Sequence, residues 1–115
     1  GIRRDQNTED EYRLIAAKIQ MSENKQPTHH LMVTGTLPFE TLQEVEAKLK
    51  SFLPAEQYEI HAAENLAYNS DVLTQIKQYE IVLVEKKDAS DVREIEGLAE
   101  VLKVSEVHVV GAIVL

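Results

Sequence analysis

Residues 30–49 read HLMVTGTLPFETLQEVEAKL, and they decide the fold. Leu31, Met32 and Val33 form an uninterrupted apolar triplet, as expected of a strand covered on both faces. Residues 34–38 read as a short loop, and a helix begins between Pro38 and Thr41. Its apolar positions Leu42, Val45, Leu49 and Phe52 recur at i, i+3, i+7 and i+10, which gives one buried face; Pro54 is the expected stop. Strand, short loop and helix are the layout of a phosphate-binding loop. Such a loop needs glycines where backbone N–H groups approach the phosphates, a lysine for the terminal phosphates and a hydroxyl for Mg²⁺. The corresponding residues are Gly35, Thr36, Leu37, Pro38, Phe39, Glu40 and Thr41. Phe39 stands at a glycine position, and no lysine occurs between Lys25 and Lys48. Glu40 suits a helix N-terminus but repels a triphosphate. Thr41 alone does not make a site. The layout is present and the chemistry is missing, so no cofactor is expected.

Outward from this unit the chain alternates. A first helix is expected from about Thr8, its cap, to Met21, with Tyr12, Ile15 and Ile19 on one face. Residues 1–7 read as a linker or tag remnant, and residues 8–115 as a single domain. After the 30–49 unit come a short strand at 58–62, a loop at 64–70 and a short helix carrying Val72, Leu73 and Ile76, capped by Ser70 or Asn69. A buried strand follows at 81–84 (IVLV), then a helix capped by Ser90 with Val92, Ile95, Ala99 and Leu102 as its stripe. Gly97 falls inside that helix, where it costs about 1 kcal/mol against alanine, and so marks a close helix–sheet contact. The last strand, 107–115 (VHVVGAIVL), is broken by Gly111. This alternation predicts an α/β fold: right-handed crossovers, a mostly parallel sheet of about four strands, and helices on both faces.

With 115 residues, 43% hydrophobic and 28% charged, the chain has the composition of a globular domain. Its net charge of −8 argues against nucleic acid or an anionic membrane surface as a partner. The absence of cysteine removes disulfides and thiolate metal sites. No apolar run reaches the roughly 20 residues of a spanning helix. Gly1 and the apolar end at Leu115 suggest an excised domain, with any membrane segment outside it. Glu64, after the second strand, is the best candidate for a Mg²⁺-side acid, although a solvated loop carboxylate is the simpler reading. His29 and His30 are adjacent and point to opposite faces of a strand, and His61 and His108 belong to other strands, so no metal site is expected. No nucleophilic triad or carboxylate pair stands out, and catalytic residues are therefore none. The Glu/Lys-rich helix faces read as solvated surface.

Several segments carry a resemblance. Asp10-Glu11-Tyr12-Arg13 is similar to the opening helix EAYRTLRTNIQ of the bacterial tyrosine kinases of capsule and exopolysaccharide synthesis, members of the MinD/ParA-like group of P-loop proteins. In that family a Glu and two Arg make a subunit contact; Asp10 and Arg13 match the first two, and Ala16 replaces the second Arg. Leu31-Met32-Val33-Thr34 resembles the family strand IMVTS, and Pro38 and Glu40 match the following loop in register with its Gly-Lys pair deleted. Residues 66–84 resemble the helix leading into a VLLVV strand, and residues 110–115 a terminal GVVLN strand. The family's two acidic strand ends are reduced to one, residues 58–65, and its C-terminal tyrosine cluster is absent.

The resemblance implies a Rossmann-like, P-loop NTPase-like three-layer fold. It also implies a non-catalytic, pseudo-kinase-like cytoplasmic domain of a membrane chain-length regulator, on the cytoplasmic side of the bacterial cell membrane. Its partners would be proteins: a second copy through Asp10 and Arg13, or a kinase or polymerase subunit of polysaccharide synthesis. The alternatives are a nucleotide-dependent kinase or ATPase with an aberrant loop, and an unrelated small α/β regulatory domain.

Overall fold

The computed structural model describes residues 2–21, 26–68, 75–86 and 91–115, with side chains from Glu9 onward. Its organising element is the first strand, β1 (His29–Thr34). Leu31, Met32, Val33 and Thr34 are all buried, because β1 is flanked on both sides by parallel strands and covered on both faces. β2 (Tyr58–Ala63) pairs along one side of β1 and β3 (Glu80–Glu85) along the other. β4 (His108–Val114) completes an all-parallel sheet of order β2–β1–β3–β4. The expected Rossmann-like α/β architecture is present.

Two apolar layers sandwich the sheet. α1 (Ile2–Gln20) and α2 (Phe39–Lys50) lie on one face, where Ile15, Ile19, Leu42, Val45 and Leu49 pack on Leu31, Val33, Val82, Val84 and Ile113. α3 (Val92–Val104) and the 3₁₀ turns Leu66–Tyr68 and Ile76–Gln78 lie on the other, where Leu66, Ile76, Leu98 and Leu102 pack on Met32 and Ile81. The alternation along β1, Leu31 and Val33 to one layer and Met32 to the other, follows from the two-residue period of a strand. Each fully buried leucine or isoleucine contributes about 1.5–3 kcal/mol.

Several boundaries differ from the sequence reading. α1 begins at Ile2, so Thr8 lies inside the helix rather than at its cap; the stretch before it contains neither glycine nor proline to stop propagation. The short helix expected around Val72 and Leu73 falls outside the described residues, apart from Ile76, which is buried in a 3₁₀ turn. Ser90 is also outside them, and the cap of α3 is Asp91, whose carboxylate accepts from the Arg93 N–H at 2.8 Å. The buried stripe of α3 is Leu98 and Leu102, while Val92 is 65% exposed and Ala99 faces solvent. A methyl group on Gly97 would meet nothing within 4 Å, so that glycine marks no close contact. α3 ends on Ser105 and Glu106, the latter at φ 55°, the left-handed position that commonly follows a helix. β4 is not broken at Gly111: the irregularity lies at Val110, an extra residue between the Ile81–Val109 and Val82–Gly111 pairs.

Candidate functional site

In an open parallel sheet, ligands bind beyond the carboxyl ends of the strands where successive connections leave to opposite faces. Here that position lies between β1, whose chain leaves into α2, and β3, whose chain leaves toward α3 on the other face. Gly35 follows β1 directly. A Cβ on it would overlap the carbonyl oxygen of Val84, so only glycine lets the loop run against β3.

This close approach delivers Thr36 to Glu85, the last residue of β3. The Thr36 N–H donates to Glu85 Oε1 at 3.0 Å, and the Thr36 hydroxyl donates to Oε2 at 2.7 Å. Both oxygens of one carboxylate thus engage the first loop residue beyond Gly35. A carboxylate fixed against a loop N–H and a hydroxyl occupies the place where a phosphate-binding loop would present the same donors to its ligand. The Glu85 carboxylate thus lies at the carboxyl ends of β1 and β3.

The other loop residues serve the fold. Leu37 packs against the α1/α2 core layer. The Pro38 carbonyl accepts the first bonds of α2, from the Thr41 and Leu42 N–H groups at 3.0 and 3.2 Å. Phe39 and Glu40 are exposed. Glu64 enters the site through its main chain: its carbonyl accepts from the buried Thr34 hydroxyl at 3.2 Å, tying the end of β2 to β1, and its side chain is exposed. The acid at the sheet's ligand edge is therefore Glu85. Its signal was an acidic residue directly after the apolar run IVLV, at a strand end.

Comparison with protein-family models, curated proteins and solved structures finds no match to this chain. The residues themselves must therefore carry the functional argument.

Asp10 and Arg13, the expected subunit contact, are engaged within the protomer. Arg13 lies 3.3 Å from Asp10 and 3.5 Å from Glu9, and its guanidinium stands 5.8 Å from the centre of the Phe52 ring. Lys48 of α2 reaches Glu9 at 2.9 Å and lies over the same ring at 5.9 Å. This cluster fastens α1 to α2 around Phe52. The Lys48 hydrogen bond and charge hold the Glu9 carboxyl below its ordinary value.

The histidines gather at the opposite, amino end of the sheet. His29 Nδ1 is 3.2 Å from the buried Glu80 carboxylate and stacks on Tyr58 at 4.9 Å; His30 Nδ1 lies 2.7 Å from Glu59. His30 and His61 both present their rings to Tyr79, 6.0 and 6.3 Å away. Burial, then the Glu80 charge, raises the Tyr58 phenol. Among the described residues no three metal-ligating side chains converge. A cleft of about 700 Å³ at this end runs between α1 and β4, lined among others by Lys18, Lys77, Tyr79 and His108. It faces away from the crevice at Glu85.

Proposed function

We propose that this chain is a non-catalytic interaction or regulatory domain, an α/β scaffold whose ligand crevice is closed by Glu85. The observation that carries the reading is the pair of hydrogen bonds from Thr36 to the Glu85 carboxylate, made possible by Gly35. A nucleotide would have to displace that carboxylate and would meet no lysine between Lys25 and Lys48. Thermal unfolding with and without ATP and Mg²⁺ tests this directly. A ligand at 100 times its Kd stabilises by about 2.7 kcal/mol, so binding would register as a clear rise in Tm. The expected result is no shift, and a saturable one refutes the closed crevice.

The biological setting we propose is surface-polysaccharide synthesis, with the domain on the cytoplasmic side of a membrane chain-length regulator. Support for it is the resemblance of residues 10–20, 31–41, 66–84 and 110–115 to the bacterial tyrosine kinases; fold alone would not carry it. Deleting the domain from the full-length protein should alter the length distribution of the polymer. An unchanged distribution overturns that setting and leaves the closed crevice standing.

A further inference from the structure

The two edges of the sheet are guarded differently. On β2, the Ala62 N–H is taken by the Glu46 carboxylate of α2 at 2.8 Å, and Glu59 stands exposed on the strand. A backbone donor is occupied there, and a second acidic chain would meet like charge. Among the described residues no carboxylate is seen on a β4 backbone donor, and residues 109–115, VVGAIVL, contain no charged side chain in a protein of net charge −8. Val109, Val114 and Leu115 are 39%, 51% and 37% exposed.

The helices beside β4 continue this surface. Leu14 and Lys18 of α1 and Met21 just after it fall on one stripe at i, i+4 and i+7, and Lys18 and Met21 line the cleft against His108 and Val109. Leu14 is 56% and Met21 82% exposed. On α3, Ala99 and Lys103 line a groove of about 240 Å³ with Leu83, Leu102, Val107 and Val109. Glu96 lies on that stripe, two turns before Lys103.

All three elements share one centre. Ile15, next to Leu14, is the neighbour that a methyl group on Gly111 would meet, at 3.6 Å. Leu83, which shares the groove with Ala99, pairs with Ala112. Leu14 on one face and Ala99 on the other therefore flank the middle of the strand, between Val109 and Ala112. A twofold axis there lays β4 antiparallel to its own copy. It brings Leu14 against Leu14 and Ala99 against Ala99, and sets Glu96 of each protomer opposite Lys103 of the other. In that arrangement the exposed Glu96 and Lys103 are complementary across the axis. The bulge at Val110 bends the edge away from open-ended pairing, which a closed twofold contact tolerates.

We infer that the β4 edge, with the flanking stripes of α1 and α3, is the contact surface for a second copy of this chain. This names a partner for the interaction role proposed above and rests on that reading; the nucleotide assay tests the crevice separately, so the two can fail independently.

Sedimentation velocity over a wide concentration range is the test, with circular dichroism confirming that each variant is folded. The wild type should show a concentration-dependent dimer. Leu14→Glu and Val114→Lys, both at exposed positions, should sediment as monomers. Lys103→Glu should weaken dimerisation by roughly tenfold or more through like-charge contact with Glu96. The double reversal Glu96→Lys with Lys103→Glu should restore it. A wild type that is monomeric throughout, a dimer indifferent to Leu14→Glu and Val114→Lys, or a double reversal no better than the single one overturns the proposal.

Discussion

Replacing Gly35 with alanine puts one methyl group where β1 and β3 converge. The new Cβ would overlap the Val84 carbonyl oxygen and lie 3.3 Å from Glu85 Oε1. Val84 O is main chain of a buried strand and cannot swing aside, so the loop after β1 must retreat from β3 to an ordinary carbon–oxygen separation of about 3.3–3.6 Å. That retreat breaks both Thr36 bonds to Glu85. Overpacking of this kind costs about 1–3 kcal/mol. Two hydrogen bonds to a half-buried carboxylate, discounted for solvent, add about 2 kcal/mol. The sum, about 3–5 kcal/mol, is a large fraction of the roughly 5–15 kcal/mol that holds a domain folded. For a chain of this size it lowers Tm by about 12–20 °C. Urea unfolding followed by circular dichroism should show a lower midpoint with an unchanged slope. A loss below about 1 kcal/mol would mean that the loop yields freely and that Gly35 does not clamp it to Glu85.

Gly97→Ala should act in the opposite direction, raising stability by about 1 kcal/mol, because the methyl meets nothing and alanine is the better helix former; a lower midpoint in the same urea assay would refute this. Lys48→Met keeps the stem over Phe52 and removes the charge that lowers the Glu9 carboxyl from 4.5. A depressed carboxyl stabilises above its unfolded value and loses that contribution as pH falls through the folded one. The stability gap between wild type and Lys48→Met should therefore close on acidification below about pH 4.5, and a gap that persists rejects the pairing. Burial, then Glu11 and Glu44, raises the Tyr12 phenol, and burial, then Glu80, raises that of Tyr58. Raised groups stabilise below their unfolded value, here 10.0, and the contribution is lost as pH rises through the folded value. Stability should fall above pH 10 as phenolate absorbance appears, whereas Tyr12 and Tyr58 ionising at their ordinary value with no loss of stability would contradict the burial.

The residues that made β1 and α2 legible are those whose pattern has one solution: an apolar triplet followed by a short loop, and Leu42, Val45 and Leu49 at helical spacing. α3 has two. Val92, Ile95, Ala99 and Leu102 form one helical stripe, and Ile95, Leu98 and Leu102 form another, rotated from it by about an eighth of a turn. The sheet selects the second, because only Leu98 and Leu102 reach Ile81 and Met32. The start of α1 was obscured by Thr8 and the three acids after it, which look like an N-terminus but lie within a helix already under way. Glu85 was hidden for a different reason. A carboxylate at a strand end is unremarkable until topology places β3 beside β1, and strand order is a property of crossovers rather than of any local pattern.

Strand order also decides what the remaining surface can do. β1 and β3 are interior, so their carboxyl ends meet, and Thr36 clasps Glu85 where such a sheet usually takes its ligand. β2 is an edge, but α2 crosses directly from β1 to β2 and leaves Glu46 over it. β4 is the edge reached last, and on the other face its connecting helix α3 presents Ala99 and Lys103 beside the strand rather than a carboxylate over its backbone. An apolar, uncharged edge is an aggregation hazard unless something closes on it. The seven-residue segment 109–115 carries no charge in a chain where more than a quarter of residues do, and under the proposed twofold Glu96 and Lys103 beside it would favour a closed pair over an open fibre. If that pair forms, mutating Gly111 should be sensed by it as much as by the fold. Gly111→Ala meets Ile15 at an ordinary 3.6 Å, so the folded protomer should lose less than about 1 kcal/mol. A dimer centred on that residue should nevertheless show a changed association constant in sedimentation, and an unchanged one places the twofold elsewhere on the molecule.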